Sequence, residues 1–156
     1  MAHLDIRLTR SGDIPGLQQV VTQTGLFPAE MLPGLVGGFL RGTPSEIWLT
    51  ALQEATPVGF CYALPEPMTE GTWNMRALAV QPDAQGSGVG RALVAELEDR
   101  LRQSGARVLI VDTSGQAGFA PARAFYTACG YDPEARIRDF WAAGDDKVTF
   151  WKALAP

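Results

Sequence analysis

The stretch Gln85-Gly86-Ser87-Gly88-Val89-Gly90 decides how this chain is read. It follows the apolar run Ala77-Leu78-Ala79-Val80 and opens a segment in which Val89, Leu93, Leu97 and Leu101 recur every four residues. That pattern predicts a strand, a tight turn and an amphipathic helix beginning near Gly88. Glycines in such a turn let the backbone approach a ligand closely. The first N–H groups of the helix lack intrahelical partners, and the helix dipole favours negative charge where they converge. The ligand class implied is a phosphate or diphosphate.

Outward from the loop, the periodicities place the remaining elements. Leu4, Ile6 and Leu8 alternate with polar residues as a first strand, and a helix from Ser11 or Asp13, with Pro15 in its first turn, stops at Gly25. The segment from Pro28 to Arg41 reads as a short or broken, mobile helix, because Pro33, Gly34, Gly37 and Gly38 all oppose it. Strands are predicted over Glu46–Leu52, Pro57–Leu64 and Thr72–Val80. Gly105 ends the helix after the loop. Val108-Leu109-Ile110-Val111 is continuously apolar, as in a central strand buried on both faces. A helix from about Pro121 to Cys129 and a last hairpin turning at Gly144-Asp145-Asp146 complete the chain. The predicted class is α+β: a mixed sheet of about seven strands with one right-handed parallel β-α-β crossover and flanking helices.

Composition bounds the function. At 156 residues and 46% hydrophobic, the chain supports a single domain over 1–156 with its own core. A net charge of -4 argues against a nucleic-acid partner, which needs a basic face, and agrees with a cationic one. Cys61 and Cys129 sit in apolar segments and read as buried thiols of a reducing compartment. No apolar run spans a bilayer and the start carries no secretion pattern, so the expected location is the cytoplasm, without a membrane partner. The single histidine, His3, excludes a Ser/His/Asp triad, and no Cys/His/Asp spacing suggests a metal.

The spacing of the loop separates the phosphate-binding families. A P-loop requires Lys and Ser/Thr after its last glycine, but Arg91 and Ala92 follow Gly90. A dinucleotide fingerprint requires a third glycine where Arg91 stands. What fits is Gln/Arg-x-x-Gly-x-Gly/Ala, as Gln85, Gly88 and Gly90, and this resembles the diphosphate loop of the GNAT superfamily of N-acetyltransferases. Ala122-Arg123-Ala124-Phe125-Tyr126 with Gly130-Tyr131 resembles that superfamily's second motif. Thr24-Gly25-Leu26-Phe27-Pro28, Arg138-Asp139-Phe140-Trp141 and Gly144-Asp145-Asp146-Lys147 are similar to segments of a bacterial subgroup.

The resemblance implies the GNAT fold and a coenzyme A-dependent N-acyltransferase, moving acetyl from acetyl-CoA directly to an amine in a ternary complex. It implies that coenzyme A lies between the splayed strands Thr72–Val80 and Arg107–Asp112. Leu78, Ala79 and Val80 would pair with the pantetheine, and Val80's N–H would stabilise charge developing on the acyl oxygen. Gln85, Gly86, Ser87, Gly88, Val89 and Gly90, with Arg91, would hold the diphosphate; Ser87 serves either as a contact or as a plain helix cap. Phe125 and Tyr126 border the cofactor, and Tyr126 would protonate the leaving thiolate, a feasible transfer from a phenol near 10 to a thiol near 8.5. The glutamate many relatives carry six residues before Val80 is here Asn74, which cannot be a base. Asn74 would instead position a water, or Glu70, Glu46 or Asp112 would act through one. Phe119 stands where the family has an asparagine. Trp73, Asp139 and Trp141 are the implied acceptor contacts; the alternative is that both tryptophans cover the sheet and Asp139 pairs with Arg136 or Arg138. A homodimer is an expected assembly. A binder of acyl-CoA without turnover is the competing reading, which Asn74 favours and Tyr126 opposes.

Overall fold

A computed structural model describes residues 3–42 and 45–155. Seven strands form one mixed sheet in the order β1-β2-β3-β4-β5-β7-β6. They are β1 (Leu4–Leu8), β2 (Ile47–Gln53), β3 (Thr56–Pro65), β4 (Thr72–Val80), β5 (Val108–Ser114), β6 (Asp132–Ala142) and β7 (Asp145–Ala153). The helices are α1 (Ile14–Thr24), α2 (Leu32–Leu40), α3 (Val89–Gln103) and α4 (Ala120–Ala128). β4 runs parallel to β5, pairing Thr72 with Val108, Trp73 with Leu109 and Asn74 with Ile110. The helix between them makes this the predicted crossover.

The chain divides into two compact units, Met1–Leu64 with Ala77–Asp99 and Pro65–Arg76 with Arg100–Pro156. In the first, α1 and α2 bury Leu17, Val20, Val21, Leu32 and Val36 with Trp48, Phe60, Ala77 and Ala79. Trp48 stacks between Phe60 and Tyr62, at 5.8 and 4.2 Å between ring centroids. α1 ends as predicted at Gly25, whose φ of 67° supplies the left-handed cap. The segment expected to be a short or broken helix forms a 3-10 turn, Ala29–Met31, followed by nine helical residues. Pro33 falls in the first turn of α2, where no intrahelical donor is needed, and burial of Leu32 and Val36 offsets the weak glycine propensity. The Val89, Leu93, Leu97 and Leu101 stripe of α3 is buried throughout.

In the second unit, β5 pairs with β7 from Val108–Ala153 to Ser114–Lys147, and β7 pairs with β6. Leu109, Val111, Tyr126, Tyr131, Val148 and Phe150 are buried there. The β6–β7 hairpin closes around Ala143 and Gly144, one residue before the turn expected from the sequence; Gly144 has φ 79°. β6 ends the sheet, and all of its residues are exposed. No helix among the described residues is long and apolar enough to cross a membrane.

Candidate active site

The glycine loop lies in the first unit, between the end of β4 and the start of α3. Gly86 and Gly88 have φ of 79° and 90°, values that L side chains rarely adopt. A Cβ at either position would meet no atom within 4 Å, so the glycines set the backbone course rather than make room for a packed neighbour. Two side chains brace the turn from within. Gln85 Nε2 donates to the Val80 carbonyl at 2.9 Å, and Ser87 Oγ donates to the Ala84 carbonyl at 2.5 Å. Ser87 therefore ties the loop back to Ala84. Gln85, Gly86, Ser87 and Gly88 are exposed ahead of a fifteen-residue helix. An exposed loop of this shape, opening onto the positive end of α3, fits an anionic diphosphate.

A cavity of about 420 Å³ lies in the second unit, lined by Glu66, Asn74, Met75, Arg76, Asp112, Phe140, Trp141 and Lys147. Its centre is a polar cluster on adjacent strands. Asn74 Nδ2 donates to Glu66 Oε1 at 2.9 Å and to Asp112 Oδ2 at 3.2 Å. Thr149 Oγ1 donates to the other Asp112 oxygen at 2.6 Å. The amide nitrogen of Asn74, a donor, thus faces both carboxyl groups, whose oxygens accept. Its Oδ1 is buried and has no hydrogen-bond partner among the described residues. The aromatic wall is ordered too: Trp141 Nε1 donates to the Thr113 carbonyl at 3.3 Å, and Phe140 meets Trp141 edge to face. Lys147 Nζ sits 4.1 Å from the centroid of the Phe140 ring.

Tyr126, on α4, is 8% exposed among aromatic rings: Phe125 at 5.4 Å, Phe150 at 5.6 Å and Tyr131 at 6.1 Å between centroids. Cys61 is fully buried, and desolvation pushes its thiol up to about 12, so it is inert at neutral pH. No group of His, Cys, Asp and Glu among the described residues could hold a metal.

Of the predicted acceptor contacts, Trp141 lines the cavity, while Trp73 and Asp139 do not. Trp73 is half-buried on β4. Asp139 braces the hairpin: its N–H donates to Asp146 Oδ1 and its Oδ1 accepts from the Gly144 N–H, both at 2.9 Å. The expected alternative partner, Arg136, pairs with Asp146 instead. Asp112 reaches Asn74, whereas Glu70 and Glu46 are not in the cavity wall. Phe140 and Lys147 of the hairpin segments line the cavity as well, and so do Glu66 and Arg76, which no sequence pattern marks. Glu66 gives no periodic signal, standing between Pro65 and Pro67, and only folding brings it beside Asn74.

The model of the acetyltransferase (GNAT) family matches residues 21–131, so the chain belongs to the GNAT acetyltransferase family. It is 37% identical over 84 residues to the aminoglycoside N(6')-acetyltransferase type 1 of Stenotrophomonas maltophilia. That match covers 54% of this chain, and the chain spans 44% of that relative's length. A crystal structure assigned to the GNAT family, from Desulfovibrio desulfuricans, superposes with a TM-score of 0.89 at 32% identity, covering 99% of this chain and all of that one. An aminoglycoside 6'-N-acetyltransferase crystallised with coenzyme A shares the fold, with a TM-score of 0.80 at 16% identity over 97% of this chain and 98% of that one.

Proposed function

We propose that the protein is an acetyl-CoA-dependent N-acetyltransferase acting on an amine by direct transfer. The observation that carries this reading is the loop before α3, with two left-handed glycines and open space above them. The residues of the first unit that would hold coenzyme A are Gln85 to Arg91 at the diphosphate and Leu78, Ala79 and Val80 along the pantetheine. Bound acetyl-CoA supplies an acetyl thioester, whose carbonyl carbon accepts the amine's electron pair while the C–S pair leaves on sulfur. Val80's N–H stabilises the charge gathering on the acyl oxygen. Tyr126 holds the proton that goes to the departing thiolate, and the proton shed by the amine leaves through water. Asn74 is not the base. Its amide holds Glu66 and Asp112 in place, and the carboxylates order the water that carries the proton away.

The competing reading, a binder of acyl-CoA without turnover, draws on the missing glutamate at position 74. Titration with acetyl-CoA followed by thiol release with an amine panel separates the two. Tyr126→Phe is expected to lower turnover at least tenfold while affinity for coenzyme A changes less than twofold. Undiminished turnover in that variant would withdraw the acid role from Tyr126. Binding without thiol release for every amine would leave the binder.

A further inference from the structure

The cavity in the second unit is charge-balanced. Glu66 and Asp112 contribute two negative charges and Arg76 and Lys147 two positive ones, against the aromatic walls of Phe140 and Trp141. From this we infer that the acceptor is a zwitterion, whose primary ammonium sits at Glu66, Asn74 and Asp112 and whose anionic group faces Lys147 and Arg76. The inference rests on the amine-acceptor reading above and names the class of amine.

Three observations support it. The two carboxylates share a single neutral amide nitrogen, at 2.9 and 3.2 Å, so they stand side by side with no cation bridging them through Asn74. An ammonium carries three donors and the charge that such a pair favours. Next, Asn74 is 4% exposed yet keeps its Oδ1 without a donor. A buried carbonyl without a partner is costly, and such a group calls for a partner. A donor that enters with the ligand would complete that amide. Finally, Lys147 is held over the Phe140 ring, which fixes a positive charge at the cavity wall. A polycation entering this cavity would meet Lys147 and Arg76 as like charges, whereas a carboxylate would meet them as partners.

The test uses the full-length protein saturated with coenzyme A, titrated calorimetrically with ω-amino acids of two to six carbons, their matched n-alkylamines and spermidine. Thiol release from acetyl-CoA is followed in parallel. The best-fitting amino acid is expected to bind at least tenfold more tightly than its alkylamine and than spermidine. Lys147→Gln is expected to narrow that ratio below threefold, and the exposed Arg76→Gln supplies the same readout should the first variant fold poorly. Asp112→Asn is expected to weaken amino acid and alkylamine alike. An alkylamine or spermidine that binds as well as the amino acids, or a ratio untouched by both charge variants, overturns the inference. Selective binding of amino acids without thiol release supports the zwitterion subsite while ending the transfer reading. Turnover of spermidine but of no amino acid keeps transfer and ends the zwitterion.

Discussion

Asp13 accepts from both terminal nitrogens of Arg7 at 2.8 Å and from the Arg10 N–H at 2.8 Å, while Thr9 and Thr50 share a buried hydrogen bond nearby. Burial alone would raise this carboxyl, but the Arg7 guanidinium and the Arg10 amide outweigh it and hold it below the ordinary carboxylate range. A carboxyl depressed in the folded state contributes stability that is fully present above its unfolded value, near 3.9, and is lost as pH falls through the folded value. Asp13→Asn is therefore expected to cost about 1.5–3 kcal/mol at pH 7. Its stability should also fall less steeply than wild type below about pH 4. Melting temperatures of both proteins from pH 7 to pH 2 check this; curves that stay parallel over the whole range would contradict it. Individual residues such as Asp13 are legible in sequence only as caps. The partner Arg7 sits on β1, where the sequence pattern shows it only as the polar half of an alternation.

At the level of elements, local pattern carried most of the fold. The four-residue stripe of α3, the Gly25 stop of α1 and the unbroken apolar run of β5 each appear where periodicity put them. α2 is the short helix that the pattern predicts in spite of its composition: three glycines argue against a helix, but buried Leu32 and Val36 decide for one. The same residue type does opposite work in the two places. Gly34 lies in a helix with no atom within 4 Å of an added Cβ, whereas Gly88 needs its φ of 90°. Gly34→Ala is expected to stabilise the protein by about 0.5–1 kcal/mol. Gly88→Ala forces strain of about 1–3 kcal/mol into the loop. If the loop relaxes to escape it, the N–H groups at the start of α3 no longer converge. Affinity for coenzyme A should then fall about tenfold or more, which calorimetry measures. Equal affinities in the two variants would mean that the glycine geometry does not shape the binding site.

Over the whole molecule, the limit of the sequence is which distant residues meet. Glu66, Asn74 and Asp112 stand 8 and 38 positions apart from the central asparagine, and no spacing rule joins them. The loop at Gln85–Gly90 was readable because its chemistry is contiguous. That difference leads to a prediction about the folded protein as one thermodynamic system. A ligand that binds only the native state raises stability by RT ln(1 + [L]/Kd), about 2.7 kcal/mol at a hundredfold excess over Kd. For a chain of 156 residues that corresponds to a rise in Tm of about 5–10 °C. Acetyl-CoA should produce that rise. Pantetheine, which lacks the diphosphate, should produce little of it at the same concentration, because the donors before α3 then have no anion to hold. The chain's net charge of -4 sharpens the contrast, since an anionic ligand gains nothing from the overall field and must be held by local donors. Equal shifts from the two ligands would take the diphosphate, and with it the glycine loop, out of the account of binding.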